Sequence, residues 1–202
     1  MSSRRNCLLA ALSVTSLTAC DKLGIGGASK PQFAGIDITG ADYAKGFELA
    51  DADGKVRKLS DFAGQVVVVF FGFVQCPDVC PTTLAEIAEA KKLLGASGSK
   101  LQGVFITLDP ERDTAQVLKA YTPAFDPSFV ALVPNLTQLP VLAQDFKVYY
   151  KKVPGKTDTS YTMDHTAHGY VFDTKGRIRL VARYGMGAKA LAADVAALLA
   201  QG

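Results

Sequence analysis

Seven consecutive residues, Gln65-Val66-Val67-Val68-Val69-Phe70-Phe71, constrain this chain more than any other segment. The run is apolar at nearly every position and rich in β-branched side chains, so it suits a central strand covered on both faces. Val104-Phe105-Ile106-Thr107-Leu108 reads as a second such strand, and Phe129 to Val133 as a third. Between and after them the spacing predicts helices: one after Thr83, where Leu84, Ile87, Ala88 and Leu94 recur, then Thr114 to Tyr121, and Leu136 to Phe146. Further strands are expected at Lys147 to Val153 and Gly169 to Phe172. The latter turns through Asp173-Thr174-Lys175-Gly176 into Arg177 to Ala182. The final helix has the clearest stripe, Ala188, Leu191, Ala192, Val195, Leu198 and Leu199. Near the start, Phe47-Glu48-Leu49 and Val56-Arg57-Lys58-Leu59 flank Asp53-Gly54, a hairpin signal. Strands alternating with helices imply an α/β domain: an open mixed central sheet, helices on both faces, and an N-terminal β-hairpin.

The first residues read as targeting. Arg4 and Arg5 precede an apolar stretch, Leu8 to Leu17, that is too short to span a bilayer. Leu17-Thr18-Ala19-Cys20 resembles a bacterial lipobox, so residues 1–19 are expected to be a lipoprotein signal peptide and Cys20 the lipidated residue. Asp21 resembles an inner-membrane retention signal, which points to the periplasmic face of the inner membrane in a bacterial envelope. Residues 20–45, with Gly24, Gly26, Gly27, Ser29 and Pro31, read as a tether, and 46–202 as the folded domain. Net charge is +3; without Arg4 and Arg5 the 22 basic residues become 20, against 19 acidic. That balance argues against nucleic-acid binding, which needs a concentrated basic face.

Of four cysteines, Cys7 leaves with the leader and Cys20 carries lipid, so only Cys76 and Cys80 remain as thiols. They lie in Phe71-Gly72-Phe73-Val74-Gln75-Cys76-Pro77-Asp78-Val79-Cys80-Pro81, after a buried strand and before a helix. Open α/β sheets bind ligands outside the carboxyl ends of their strands. Thr83-Leu84-Ala85-Glu86 matches a capping box, and either Thr83 as cap or Pro81 as first helical residue puts Cys80 near the helix start. The helix dipole there favours thiolate, so reactive cysteines are expected. The pair could form a disulfide or hold a soft metal: Cu(I), zinc or an iron–sulfur cluster. Structural zinc would need two more ligands, and there is no second cysteine pair.

Both histidines lie in Asp164-His165-Thr166-Ala167-His168-Gly169. In an extended segment they point to opposite faces, so one at most faces the cysteines; spacing alone does not say which, or that either is a ligand. Asp109, at the end of the second buried strand, could orient a ligand or tune a thiolate, or simply cap a helix while paired with Arg112. Met163 and Met186 are soft enough for copper but read better as a core and a loop residue.

Three segments, Val74-Gln75-Cys76-Pro77-Asp78-Val79-Cys80-Pro81, Thr107-Leu108-Asp109-Pro110-Glu111-Arg112-Asp113-Thr114 and Tyr161-Thr162-Met163-Asp164-His165-Thr166, together resemble the Sco (SenC) family of copper-binding proteins. The resemblance runs from about Phe47 to the C-terminus. It implies a thioredoxin-like fold, which fits the element order, and one copper, Cu(I) or Cu(II), held by Cys76, Cys80 and His165. His168 has no counterpart in the motif. It also implies a metallochaperone for the dinuclear copper centre of cytochrome c oxidase, working on subunit II or its assembly factors by copper delivery, thiol reduction or both. The family's usual anchor is a transmembrane helix, which the lipobox would replace here; the domain itself is expected to be monomeric.

The rival reading is a thiol–disulfide oxidoreductase of the envelope, with Cys76 and Cys80 as its redox pair. Against it stand the Cys-x-x-x-Cys spacing and the segment Thr162 to Thr166, which holds His165 where thioredoxins carry a cis-proline. A peroxidase and a purely structural lipoprotein are weaker options.

Overall fold

The computed structural model describes residues 32–157 and 160–202. The signal, Cys20 and the tether as far as residue 31 therefore lie outside the described residues. Residues 32–202 form one compact unit. Its centre is β4 (Val66–Gly72), whose seven residues are all buried, as the valine run requires. Beside it, β5 (Leu101–Thr107) is also wholly buried. The two run parallel, Val66 opposite Leu101 through Gly72 opposite Thr107, and β6 (Val130–Leu132) continues the parallel set beyond β5. On the other side, β9 (Gly169–Phe172) and β10 (Ile178–Ala182) add antiparallel strands. The edge is β1 (Ile36–Asp37), giving the six-stranded order β1-β10-β9-β4-β5-β6.

Alternation along β4 sends neighbouring rings to opposite faces. Phe70 meets Phe105 of β5 on one face. Phe71 meets Phe146 and Tyr170 on the other. Helices α1 (Val79–Leu93) and α4 (Ala188–Leu199) pack against each other. Helix α2 (Ala115–Tyr121) starts on Thr114, whose hydroxyl accepts the Val117 amide. Helix α3 (Gln138–Asp145) ends at Phe146 and so brings that ring to the Phe71 face. The expected hairpin forms as β2 (Glu48–Ala50) and β3 (Val56–Lys58), a sheet of its own around Gly54, whose φ of +80° suits glycine. A third small sheet pairs β7 (Tyr150–Pro154) with β8 (Tyr161–His165). None of the helices among the described residues is long and apolar enough to cross a membrane.

Two local expectations fail. Helix α1 begins at Val79 with Asp78 as its cap residue, so Thr83 to Glu86 lies inside the helix and the capping-box match is fortuitous. Thr83 instead turns its hydroxyl back to the Val79 carbonyl, the usual outlet for a threonine inside a helix. And the segment before residue 46 contributes to the fold, because Asp194 of α4, 3% exposed, accepts hydrogen bonds from the amides of Ala34 and Gly35, both at 2.8 Å. That carboxylate delivers the chain onto β10, a pairing that the glycine-rich composition does not reveal. Asp194→Ala would leave two amides without their acceptor. We expect a loss of about 2–3 kcal/mol in urea unfolding, with early amide exchange confined to β1.

Candidate metal centre

β4 and β5 end side by side, and the two segments that follow them form one rim. The chain leaves β4 at Gly72, crosses Phe73 to Pro77 and enters α1. Gly72 is required by space: a Cβ there would lie 2.7 Å from the Cys80 sulfur and 2.9 Å from the Phe105 ring. Cys80 is the second residue of α1 and fully buried, whereas Cys76 is half-buried in the loop. The Cys80 amide donates to the Cys76 sulfur at 3.4 Å, so the open end of the helix is directed at Cys76.

His165 arrives from the end of β8. Its Nδ1 donates to the Thr166 carbonyl at 2.8 Å, which leaves Nε2 as the acceptor, 3.5 Å from the Cys80 sulfur. Its ring stands edge-on to Phe73 and Phe70. The donor atoms of Cys76, Cys80 and His165 all lie within 4.8 Å of one another. Both thiols are free. Among the described residues no other cluster of histidine, cysteine or carboxylate donors has a metal-binding arrangement. Two sulfurs and one imidazole suit a soft, low-coordinate ion, and the chemistry of the set fits copper.

His168 lies three residues on but faces elsewhere: its Nε2 bonds the Tyr170 hydroxyl at 2.9 Å, and that hydroxyl donates to the Phe146 carbonyl. Met163 is a buried core residue of β8, and Met186 packs half-buried against the core. Asp109, 1% exposed, pairs with Arg112 and accepts from the Tyr161 hydroxyl at 2.8 Å. The pairing with Arg112 weighed from sequence is present, while the helix that follows is capped by Thr114. Asp113 is the carboxylate that the sequence reading passed over. It accepts from the Val74 amide at 3.0 Å and the Thr107 hydroxyl at 2.7 Å, tying the cysteine loop to β5. Its place four residues after Asp109 was the only signal available.

The reactivity expected of Cys80 is reversed. Burial pushes its thiol well above the ordinary range, and a helix terminus does not compensate. A dipole contributes about 0.3–1 kcal/mol, whereas full burial can shift a pKa by up to about 5 units at about 1.4 kcal/mol each. Burial likewise holds His165 and His168 below the usual histidine range, so both favour the neutral imidazole. Their unfolded forms bind the proton more readily, so this contribution is present above a pH of about 6.5 and is lost as pH falls below it. In metal-free protein we expect the urea midpoint to drop between pH 7 and pH 5, and the drop to flatten in a His165→Gln/His168→Gln variant. Asp113, raised by burial, acts in the opposite sense but equally in both proteins.

The SCO1/SenC family profile matches residues 37–200. A SCO2-like protein of Rickettsia felis is 38% identical over 132 residues, which cover 65% of this chain and 64% of that protein. Among solved structures, Bradyrhizobium japonicum ScoI with copper bound is 38% identical with a TM-score of 0.69, over 76% of this chain and 97% of that one. The apo Sco1 protein of Thermus thermophilus is 34% identical with a TM-score of 0.74, over 84% and 99%. These neighbours share the thioredoxin-like arrangement described above. A profile spanning nearly all of the compact unit, together with its two cysteines and distant histidine meeting on one rim, makes this chain a member of the SCO1/SenC family.

Proposed function

We propose that the protein is a copper metallochaperone, carrying one copper on Cys76, Cys80 and His165 and assisting assembly of the dinuclear copper centre of cytochrome c oxidase. The observation that carries this reading is the convergence of two sulfurs and one neutral imidazole nitrogen within 4.8 Å. The copper-bound ScoI of Bradyrhizobium japonicum supports it. Cu(I) suits three soft donors, and Cu(II) would call for a further ligand. Oxidising the two thiols to a disulfide removes two electrons and two protons and abolishes both sulfur ligands. Copper occupancy and redox state are therefore linked, and exchange with a disulfide of subunit II or an assembly factor, which is reduced to two thiols as Cys76 and Cys80 are oxidised, is a route for release. Asp109 acts at one remove, through Arg112 and Tyr161.

Anaerobic Cu(I) titration against a competing chelator is the test. One tight equivalent is expected for the parent, with at least about tenfold loss in Cys76→Ala, Cys80→Ala and His165→Ala, and parent-like binding in His168→Ala. Weak copper binding with rapid turnover of disulfide substrates by the metal-free protein would instead establish the thiol–disulfide oxidoreductase.

We further propose that residues 1–19 are a lipoprotein signal and that Cys20 is acylated, placing the domain on the periplasmic face of a bacterial inner membrane with residues 20 onward as its tether. Several acyl chains hold a protein stably where one does not. Cys20→Ser is expected to move the protein from the membrane to the soluble fraction and to abolish incorporation of labelled fatty acid.

A further inference from the structure

Among the described residues, the strand that carries His165 has no ladder to the six-stranded sheet; β7 and β8 pair with each other. Some other contact has to fix the imidazole relative to the cysteines. Along β8, Tyr161, Met163 and His165 turn inward, while Thr162 and Asp164 are exposed. At the end away from His165 the polar docking contacts run to the segment after β5. The Tyr161 hydroxyl donates to Asp109, Lys152 pairs with Glu111, and the Tyr161 carbonyl accepts from Arg112 Nη1 at 2.8 Å.

Arg112 does more than hold the hairpin. The same Nη1 donates to the Gln75 side-chain oxygen at 2.9 Å, in the residue before Cys76, while Nε pairs with Asp109. The guanidinium lies 3.5 Å from the Tyr161 ring centre and 6.0 Å from that of Phe73. Phe73 in turn stands edge-on to the His165 ring at 5.7 Å. One planar cation thus touches the cysteine loop, the β5 segment and the hairpin together, a task that suits a fork of donors and not a point charge.

We propose that Arg112 is the positioning residue of the three-donor centre, setting the approach of His165 to Cys76 and Cys80 without touching the ion. This rests on the copper reading above. Its signature is that the effect of Arg112 passes through His165. Arg112→Met is expected to weaken Cu(I) binding about tenfold or more in the parent, yet to change it less than about twofold in a His165→Ala background. Arg112→Lys keeps the charge but, with a single nitrogen, cannot pair with Asp109 through one donor atom while bridging Gln75 and Tyr161 through another, and is expected to lose affinity as Met does. The Asp109→Asn/Arg112→Met pair, which leaves no unpaired carboxylate, is expected to show the same dependence on His165.

A metal-free measurement accompanies these. Amide exchange in β8 is expected to rise about tenfold in Arg112→Met, with β4 and β5 unchanged. Equal losses of affinity in both backgrounds, full recovery with Lys, or unchanged β8 exchange would each overturn the proposal. A parent that binds no Cu(I), with β8 exchange still responding to Arg112, would instead sink the copper reading and leave the clamp.

Discussion

Parallel pairing of β4 with β5 sets the location of everything else. Each strand is buried along all seven residues, and removal of a large aliphatic or aromatic side chain from water contributes about 1.5–3 kcal/mol. Because the strands run in register from Val66–Leu101 to Gly72–Thr107, their carboxyl ends coincide. The segments that leave those ends therefore emerge as neighbours. One carries the cysteines and the other the Asp109 to Asp113 carboxylates, and the Asp113 bonds to Val74 and Thr107 join them. The third contributor, β8, is docked onto this pair.

Within that rim, burial outweighs the helix terminus. Cys80 is fully buried in α1 against the bare backbone of Gly72, and that burial pushes its thiol up. His165 is kept neutral by the same desolvation, its Nδ1 proton committed to the Thr166 carbonyl. In the metal-free centre burial therefore favours the thiol at Cys80 and the neutral imidazole at His165, and a bound cation would supply the charge that makes thiolate tolerable there.

Much of this was legible in the residues. The valine run gave β4, the stripe from Ala188 to Leu199 gave α4, and the family motifs gave the three donors. What escaped has a common cause. The start of α1 was misplaced because Asp78 caps it through its backbone position, with no side-chain cap bond, while Thr83 offered a false pattern. Strand β1 escaped because buried Asp194, 159 residues beyond Gly35, holds the chain just before it in place. The choice between His165 and His168 could not come from spacing, since it depends on β8 pairing with β7 and not with the main sheet. Arg112 was legible only as a partner for Asp109 and Asp113 not at all, because their reach to Val74, Gln75 and Tyr161 exists only in the folded chain.

The missing side chain at Gly72 has a directional consequence. The Cys80 sulfur fills the volume that a Cβ would take and rests on the floor of the strand, fully buried, while Cys76 and His165 remain partly open to solvent. An ion or an attacking thiol arriving from solvent would thus meet Cys76 and His165 before the Cys80 sulfur. In the copper role proposed above, loading and unloading would follow one track in opposite orders, with the deepest sulfur the last to bind and the first to let go.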